Sequence, residues 1–143
     1  MHLYTIGYGN RAMGDFLDLL HLYHMECLVD TRSVPSSRFR PDFRKKALQE
    51  HLAGAGIDYL YLGDALGGKR IEPECYVDGV LDMERVLSRE TFLTALCQVE
   101  TEVRSGRILV LMCAELRPDM CHRSWMLAPP LEARGVEVLH IDE

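Results

Sequence analysis

Five short apolar runs alternate along the chain with longer segments whose apolar residues recur at helical spacing. The runs cover residues 3–6, 27–29, 57–62, 108–112 and 136–141. The helical segments are residues 13–24, residues 43–53, a helix capped by Ser88, and residues 120–128. Apolar runs of this length predict strands, and apolar positions three and four residues apart predict one buried helix face. Strands that alternate with helices need crossover connections. The order therefore predicts an α/β fold with an open, mostly parallel, five-stranded sheet (Rossmann-like or flavodoxin-like) and helices on both faces.

The length and composition predict a single soluble domain, residues 1–143. No apolar run approaches the roughly 20 residues that span a bilayer, so no membrane association is expected. The first residues lack the basic region and apolar core of a signal peptide, which predicts a cytoplasmic protein with reduced thiols. Five cysteines, an odd number, fit poorly with a disulfide framework.

Polar and reactive residues are concentrated directly after four of the predicted strands. These loops are residues 7–10, 30–40, 63–70 and 113–123. In an open α/β sheet, ligands bind at the carboxyl ends of the strands, where such loops meet. We therefore expect one common pocket at this edge. The third loop is expected to continue into a long irregular stretch over residues 63–87.

Basic residues in these loops predict an anionic ligand. The net charge of −6 argues against a protein that coats nucleic acid, but between positions 32 and 46 six basic residues stand against one acid. Arg123 falls at the predicted start of the fourth helix, with Asp119 as its N-cap, where the helix dipole favours negative charge. The expected ligand-binding residues are Tyr8, Asn10, Arg32, Arg38, Gly67, Gly68, Lys69 and Arg123. Because arginine suits phosphate recognition, we expect a phosphate-bearing small molecule, such as a nucleotide, or a nucleic-acid end.

The candidate catalytic residues are Asp30, Cys113, Glu115 and His122. The two carboxylates and the imidazole suit general acid–base chemistry, which would support a hydrolase acting on phosphoesters. Cys113 lies at a predicted strand end that faces a helix start, a position that favours the thiolate form of a cysteine. This position supports the alternative of a sulfur-transfer or redox enzyme. A cysteine phosphatase also needs an arginine six residues after the thiol, but position 119 is Asp. Two further alternatives stay open: a small buried cysteine, and a non-enzymatic interaction module whose charged groups are ion-paired.

The motif spacing does not favour a metal or a dinucleotide cofactor, and we expect neither. Cys121 and His122 are adjacent, so their side chains would diverge by about 100° around a helix. The chain has no second short-spaced pair of the kind that structural zinc sites use. The turn Gly7-Tyr8-Gly9 lacks the third glycine of a dinucleotide fingerprint.

Four ordered motifs resemble those of a known family. They are residues 5–10, residues 28–33 with Pro35 and Arg38, residues 62–63 with 66–68, and residues 113–115 with Pro118 and 121–123. Together they resemble the family called domain of unknown function 488, and the resemblance covers almost the whole chain. This family has no established activity, so the resemblance implies membership and leaves the function to be argued from the site.

Overall fold

A computed structural model describes residues 1–68, 72–117 and 121–141 of the protein. The elements follow along the chain as β1 (His2–Gly7), α1 (Met13–Leu22), β2 (Cys27–Asp30), α2 (Lys45–Gly54), β3 (Asp58–Tyr61), α3 (Gly63–Leu66), β4 (Tyr76–Val77), β5 (Val80–Leu81), α4 (Met83–Leu87), α5 (Glu90–Arg104), β6 (Leu109–Cys113), α6 (Ala128–Ala133) and β7 (Glu137–Ile141). Short 3-10 turns cover Pro41–Phe43 and Pro73–Cys75, and a π-helical turn, Arg123–Leu127, precedes α6.

The central sheet has five parallel strands, in the order β3-β2-β6-β1-β7. This confirms the predicted open, parallel, five-stranded α/β sheet, and the five predicted runs match the five strands to within two residues. The strand order, which the sequence does not specify, inserts β6 between β1 and β2. The carboxyl ends of these three strands therefore lie side by side, and the loops that follow them meet at one edge.

Helices cover both faces of the sheet, because successive strand side chains point to opposite sides. In β6, Leu109 and Leu111 join the core beneath α5 and α6, while Val110 and Met112 join the core beneath α1 and α2. All four side chains are at most 1% exposed. The longest helix, α5, buries one face, and no helix in the described part of the chain is long and apolar enough to cross a membrane.

The stretch of residues 63–87 is more regular than the sequence predicts. It contains α3, the hairpin of β4 and β5, and α4, with residues 69–71 outside the described part. The hairpin turns at Asp78-Gly79, and both residues have positive φ (52° and 78°). Two such residues between short strands are the signature of a tight hairpin turn, so this element was readable from the sequence.

Two predicted helix boundaries were wrong. Ser88 ends α4 instead of capping the next helix: its hydroxyl donates to the Arg85 carbonyl, and α5 begins at Glu90. The fourth helix, predicted over residues 120–128, continues through Pro129-Pro130 to Ala133. These prolines lie at the start of α6, where missing N–H donors are tolerated, and the turn before them widens to π geometry. The predicted N-cap of this helix, Asp119, lies outside the described residues.

Gly7 marks where the first loop packs against the loop after β6. A methyl group at this position would overlap the Glu115 carbonyl oxygen and lie 2.6 Å from Arg123 Nη1. We expect Gly7→Ala to lower the free energy of unfolding by about 2–3 kcal/mol, because the backbone on both sides must shift. The matched control is Gly14→Ala in α1, where a Cβ meets nothing within 4 Å. It should raise stability by up to about 1 kcal/mol in the same urea titration. Equal effects of the two substitutions would contradict this packing.

Candidate functional site

A cavity of about 410 Å³ opens at the carboxyl edge of the sheet. The loop after β2 forms one wall and includes Val34, while His122 and Trp125 line the side formed by the last helical segment. Cys113 and Cys121 lie at its floor, 2% and 5% exposed. A cavity of this size matches small-molecule sites, which are mostly apolar with a few polar groups. It lies where the sequence predicts a common pocket.

Cys113 and Cys121 are joined by a disulfide at the floor of this cavity. Cys113 is the last residue of β6, and Cys121 lies just before the π-helical turn, so the bond links the two ends of one loop. Cys27, Cys75 and Cys97 are free. The sequence predicts reduced thiols, and for Cys113 and Cys121 that prediction was wrong.

Arg123 is the largest completely buried side chain among the described residues, with 0% exposure. Its Nη1 donates to the Sγ of Cys113 at 3.0 Å and to the Glu115 carbonyl at 2.9 Å, and its Nη2 donates to the Leu116 carbonyl at 2.9 Å. Carbonyl oxygens accept several hydrogen bonds, so a buried guanidinium here is compensated. Arg123 therefore holds the loop after β6 in place from beneath and touches one sulfur of the disulfide.

His122 bridges the second sulfur to the loop after β2. Its Nε2 lies 3.1 Å from the Thr31 carbonyl oxygen, and its Nδ1 lies 3.5 Å from the Sγ of Cys121. Because a carbonyl only accepts, Nε2 carries the proton and Nδ1 presents a lone pair to the sulfur. Burial lowers the pKa of His122 to about 4, and the Arg123 charge adds to this while the Thr31 hydrogen bond opposes it. The imidazole is therefore neutral at physiological pH.

Asp30 and Arg32 form a bidentate ion pair beside the cavity. Nε and Nη2 of Arg32 donate to the Asp30 carboxylate at 2.9 and 2.8 Å, and Nη1 donates to the Phe43 carbonyl at 2.6 Å. Tyr59 donates to the same carboxylate at 2.6 Å, and burial together with this hydrogen bond raises the pKa of Tyr59. The sequence alone does not require Asp30 and Arg32 to face each other. They do because the chain turns just beyond the end of β2, where the Arg32 N–H also donates to the Asp30 carboxylate at 3.1 Å.

The other predicted ligand-binding residues fall into three groups. Tyr8 is buried, with its ring stacked on Phe43 at 4.2 Å, and belongs to the core. Asn10 and Arg38 are exposed, and neither lines the cavity in the described part of the chain. Lys69 lies outside the described residues.

Gly67 and Gly68, also predicted to bind the ligand, instead allow close packing between loops. A Cβ on Gly67 would overlap the Ser33 side chain, and one on Gly68 would lie 3.1 Å from His122 Cβ and Cγ. Gly68 lines the cavity, whereas Gly67 is buried behind it. These glycines therefore let the loop after β3 approach the imidazole.

Glu115 contributes mainly through its backbone. Its carbonyl receives Arg123, while its carboxylate accepts the Arg117 N–H at 3.2 Å and is exposed at the edge of the cavity. No group of three or more His, Cys, Asp or Glu side chains in residues 1–68, 72–117 and 121–141 could hold a metal ion. The polar groups around the two sulfurs are the Arg123 guanidinium, the His122 imidazole and the Glu115 carbonyl, which lies 3.5 Å from the Cys113 sulfur.

Three residues of the site were missed by the sequence reasoning. Thr31 donates its hydroxyl and its N–H to the Met112 carbonyl and orients His122 through its own carbonyl. Tyr59 completes the Asp30 network. Trp125, the single tryptophan of the chain, lines the cavity and is 46% exposed. A half-exposed tryptophan two residues after a reactive motif was a usable signal; the other two residues gave none, because their roles depend on strand order.

Acidification should destabilise the fold through His122. The folded state favours the neutral imidazole, whereas the unfolded chain titrates near 6.5, so protonation favours unfolding as pH falls from about 6.5 towards 4. Between pH 7 and pH 4.5 we expect the free energy of unfolding of the parent to fall by up to about 2 kcal/mol through this residue. This contribution should be missing in His122→Gln. Urea unfolding at both pH values measures it, with exposed His51→Gln as the control. An identical pH dependence in parent and His122→Gln would contradict this role.

Removing the carboxylate of Asp30 should lower the free energy of unfolding more than removing the Tyr59 hydroxyl that donates to it. Asp30→Ala leaves Arg32 buried without its counter-charge, and we expect a loss of about 3–5 kcal/mol or failure to fold. Tyr59→Phe removes one hydrogen bond to a charged group, worth about 1.5–3 kcal/mol. Urea unfolding compares the two. A larger effect of Tyr59→Phe would show that the ion pair is not the main contribution.

Comparison with known proteins gives one match. A family model described as Domain of unknown function DUF488 matches residues 12–128, which include both cysteines, His122, Arg123 and the ion pair of Asp30 and Arg32. No curated protein and no solved structure matches. Because the match spans most of the 143 residues, the chain belongs to the DUF488 family.

Proposed function

We propose that the protein is a thiol-dependent enzyme that exchanges sulfur–sulfur bonds, with Cys113 as the nucleophile and Cys121 as the resolving thiol. One observation carries this proposal: the Cys113–Cys121 disulfide lies at the floor of a cavity, and the Arg123 guanidinium donates to the Cys113 sulfur at 3.0 Å. A redox-active pair needs two sulfurs that can bond to each other, access for a substrate and a group that stabilises one thiolate. All three are present at this site.

The surroundings of the two sulfurs assign different roles to them. In the reduced protein, Arg123 stabilises a thiolate at Cys113 through a charge-assisted hydrogen bond, and the thiolate is the attacking form. Cys121 faces the Nδ1 lone pair of neutral His122 at 3.5 Å, which accepts a hydrogen bond from a protonated thiol. Cys113 is therefore the thiolate that attacks the substrate first, and Cys121 stays protonated until the second step.

The reaction proceeds in two exchanges. The Cys113 thiolate attacks a substrate disulfide; a Cys113–substrate S–S bond forms, and the first half of the substrate leaves as a thiolate that takes a proton from water. Cys121 then attacks the Sγ of Cys113, the second half leaves, and the Cys121 proton passes to it. The products are two substrate thiols and the Cys113–Cys121 disulfide, so two electrons move from protein to substrate. A pair of small monothiols, oxidised to their own disulfide, returns the protein to the dithiol.

The stoichiometry of a single turnover tests this function. The protein is reduced, freed of reductant and mixed with bis(2-hydroxyethyl) disulfide. We expect two small thiols to be released per protein and peptide mapping to find the Cys113–Cys121 bond. Cys121→Ser should stop at a mixed disulfide on Cys113 and release one thiol.

Two variants give the controls for this experiment. Cys113→Ser should release no small thiol on the same timescale. Cys97→Ser removes an exposed free cysteine outside the cavity and should behave as the parent. If the parent forms no Cys113–Cys121 bond and Cys113→Ser reacts at the parent rate, the proposal is wrong.

A phosphate-bearing ligand is the second candidate, favoured by the exposed Arg38 two residues beyond the cavity wall at Ser36. The other two arginines behind this prediction, Arg32 and Arg123, donate to internal partners, so Arg38 would have to supply most of the charge. Nucleotides and short oligonucleotides titrated at low salt test it, with Arg38→Ala as the variant. Binding that Arg38→Ala weakens would support it, and no binding to the parent would rule it out.

A further inference from the structure

In the part of the chain that the structure describes, both cysteines line the cavity and are almost fully buried. Cys113 and Cys121 are 2% and 5% exposed, and the space above them is about 410 Å³. A disulfide of a folded protein is flanked by its own backbone, which would have to enter this space to bring a sulfur to Cys113. Cavities of roughly 300–1,000 Å³ instead enclose small molecules. The depth of the sulfurs therefore limits the substrate by size.

Two exposed apolar side chains line the cavity, beside the exposed Ser36 and Glu115. Val34 and Trp125 line the cavity and are 65% and 46% exposed, so each has apolar surface that a ligand could cover. Of the two buried cations at the site, Arg32 is paired with Asp30, and Arg123 donates to two backbone carbonyls and to the Cys113 sulfur. Recognition of the substrate then rests on apolar contact with the arms that carry its sulfurs, because aromatic rings supply large contact areas at a fixed position.

On these grounds we infer that the substrate is a low-molecular-weight disulfide with carbon arms that pack between Val34 and Trp125, and not the disulfide of a folded protein. This inference rests on the proposed function and adds the substrate class. The small disulfide enters the cavity, one of its sulfurs bonds to Cys113, and the other half leaves as a thiolate through the same opening. The resolving attack by Cys121 releases the remaining half as the second thiol.

The test compares two disulfides of very different size. The reduced protein is mixed with bis(2-hydroxyethyl) disulfide or with insulin, whose disulfides belong to a folded protein. Each rate is divided by the rate of the same disulfide with dithiothreitol, which removes the intrinsic reactivity of the substrate. We expect the normalised rate to be at least tenfold higher for the small disulfide. A normalised rate for insulin that equals or exceeds it would overturn the inference and leave the proposed function standing.

Variants of Trp125 test the contact itself. Trp125→Ala should lower the rate with the small disulfide about tenfold, the loss expected for about 50–60 Å² of apolar contact, and Trp125→Phe should restore most of it. Leu22→Ala, at an exposed apolar residue of α1 outside the cavity, is the control and should react as the parent. Circular dichroism confirms that each variant is folded.

The outcomes separate the two levels of the argument. Equal rates for Trp125→Ala and Leu22→Ala would overturn the substrate class while the Cys113–Cys121 exchange still occurs. If the parent reacts with neither of the two disulfides, the proposed function and the substrate class are both overturned.

Discussion

The buried guanidinium of Arg123 is the interaction on which the site depends. A cation with no exposed surface is stable only where hydrogen bonds replace its water, and here the carbonyls of Glu115 and Leu116 do so. These bonds fix the loop after β6, and the missing side chain of Gly7 leaves room for it. The same guanidinium then lies 3.0 Å from the Cys113 sulfur. The structure of this loop and the proposed stabilisation of a Cys113 thiolate therefore have one physical origin.

The second buried cation has a comparable structural role. Arg32 is held by Asp30 and by the Phe43 carbonyl, which ties the loop after β2 to the turn before α2. Thr31, next to it, anchors this loop to β6 and offers its carbonyl to His122. Two of the basic residues that suggested an anion site in the sequence, Arg32 and Arg123, thus hold the loops that form the cavity, and Arg32 also lines it. Its floor is formed by the two sulfurs instead.

The sequence predicted the architecture well because burial leaves a periodic pattern. The apolar run before Cys113 and the apolar face of α5 each identify an element, and alternation of strands and helices implies a parallel sheet with loops at one edge. The hairpin at Asp78-Gly79 was also readable, although it was missed. Helix ends were less predictable, since Ser88 can end one helix as readily as it can begin another.

The site was harder to predict, because a residue type indicates what a side chain can do and not which partner it has. Cys113 and Cys121 looked separated by a loop, and only the folded backbone brings their sulfurs together. Arg123 was expected to face a ligand and instead faces carbonyls. Glycines 67 and 68 were expected to hold a phosphate and instead accommodate Ser33 and His122. Ser33 and His122 are distant in sequence from these glycines, and strand order brings them together, whereas the Cys113–Cys121 and Arg123–Glu115 contacts join residues eight positions apart.

The thiolate absorbance at 240 nm of the fully reduced protein, followed against pH in the parent and in Cys113→Ser, tests the central claim most directly. The account predicts one thiolate already present at pH 7 in the parent and missing in Cys113→Ser, because Arg123 stabilises that sulfur alone. A parent with no thiolate absorbance below pH 8, or a signal that Cys113→Ser retains, would contradict it.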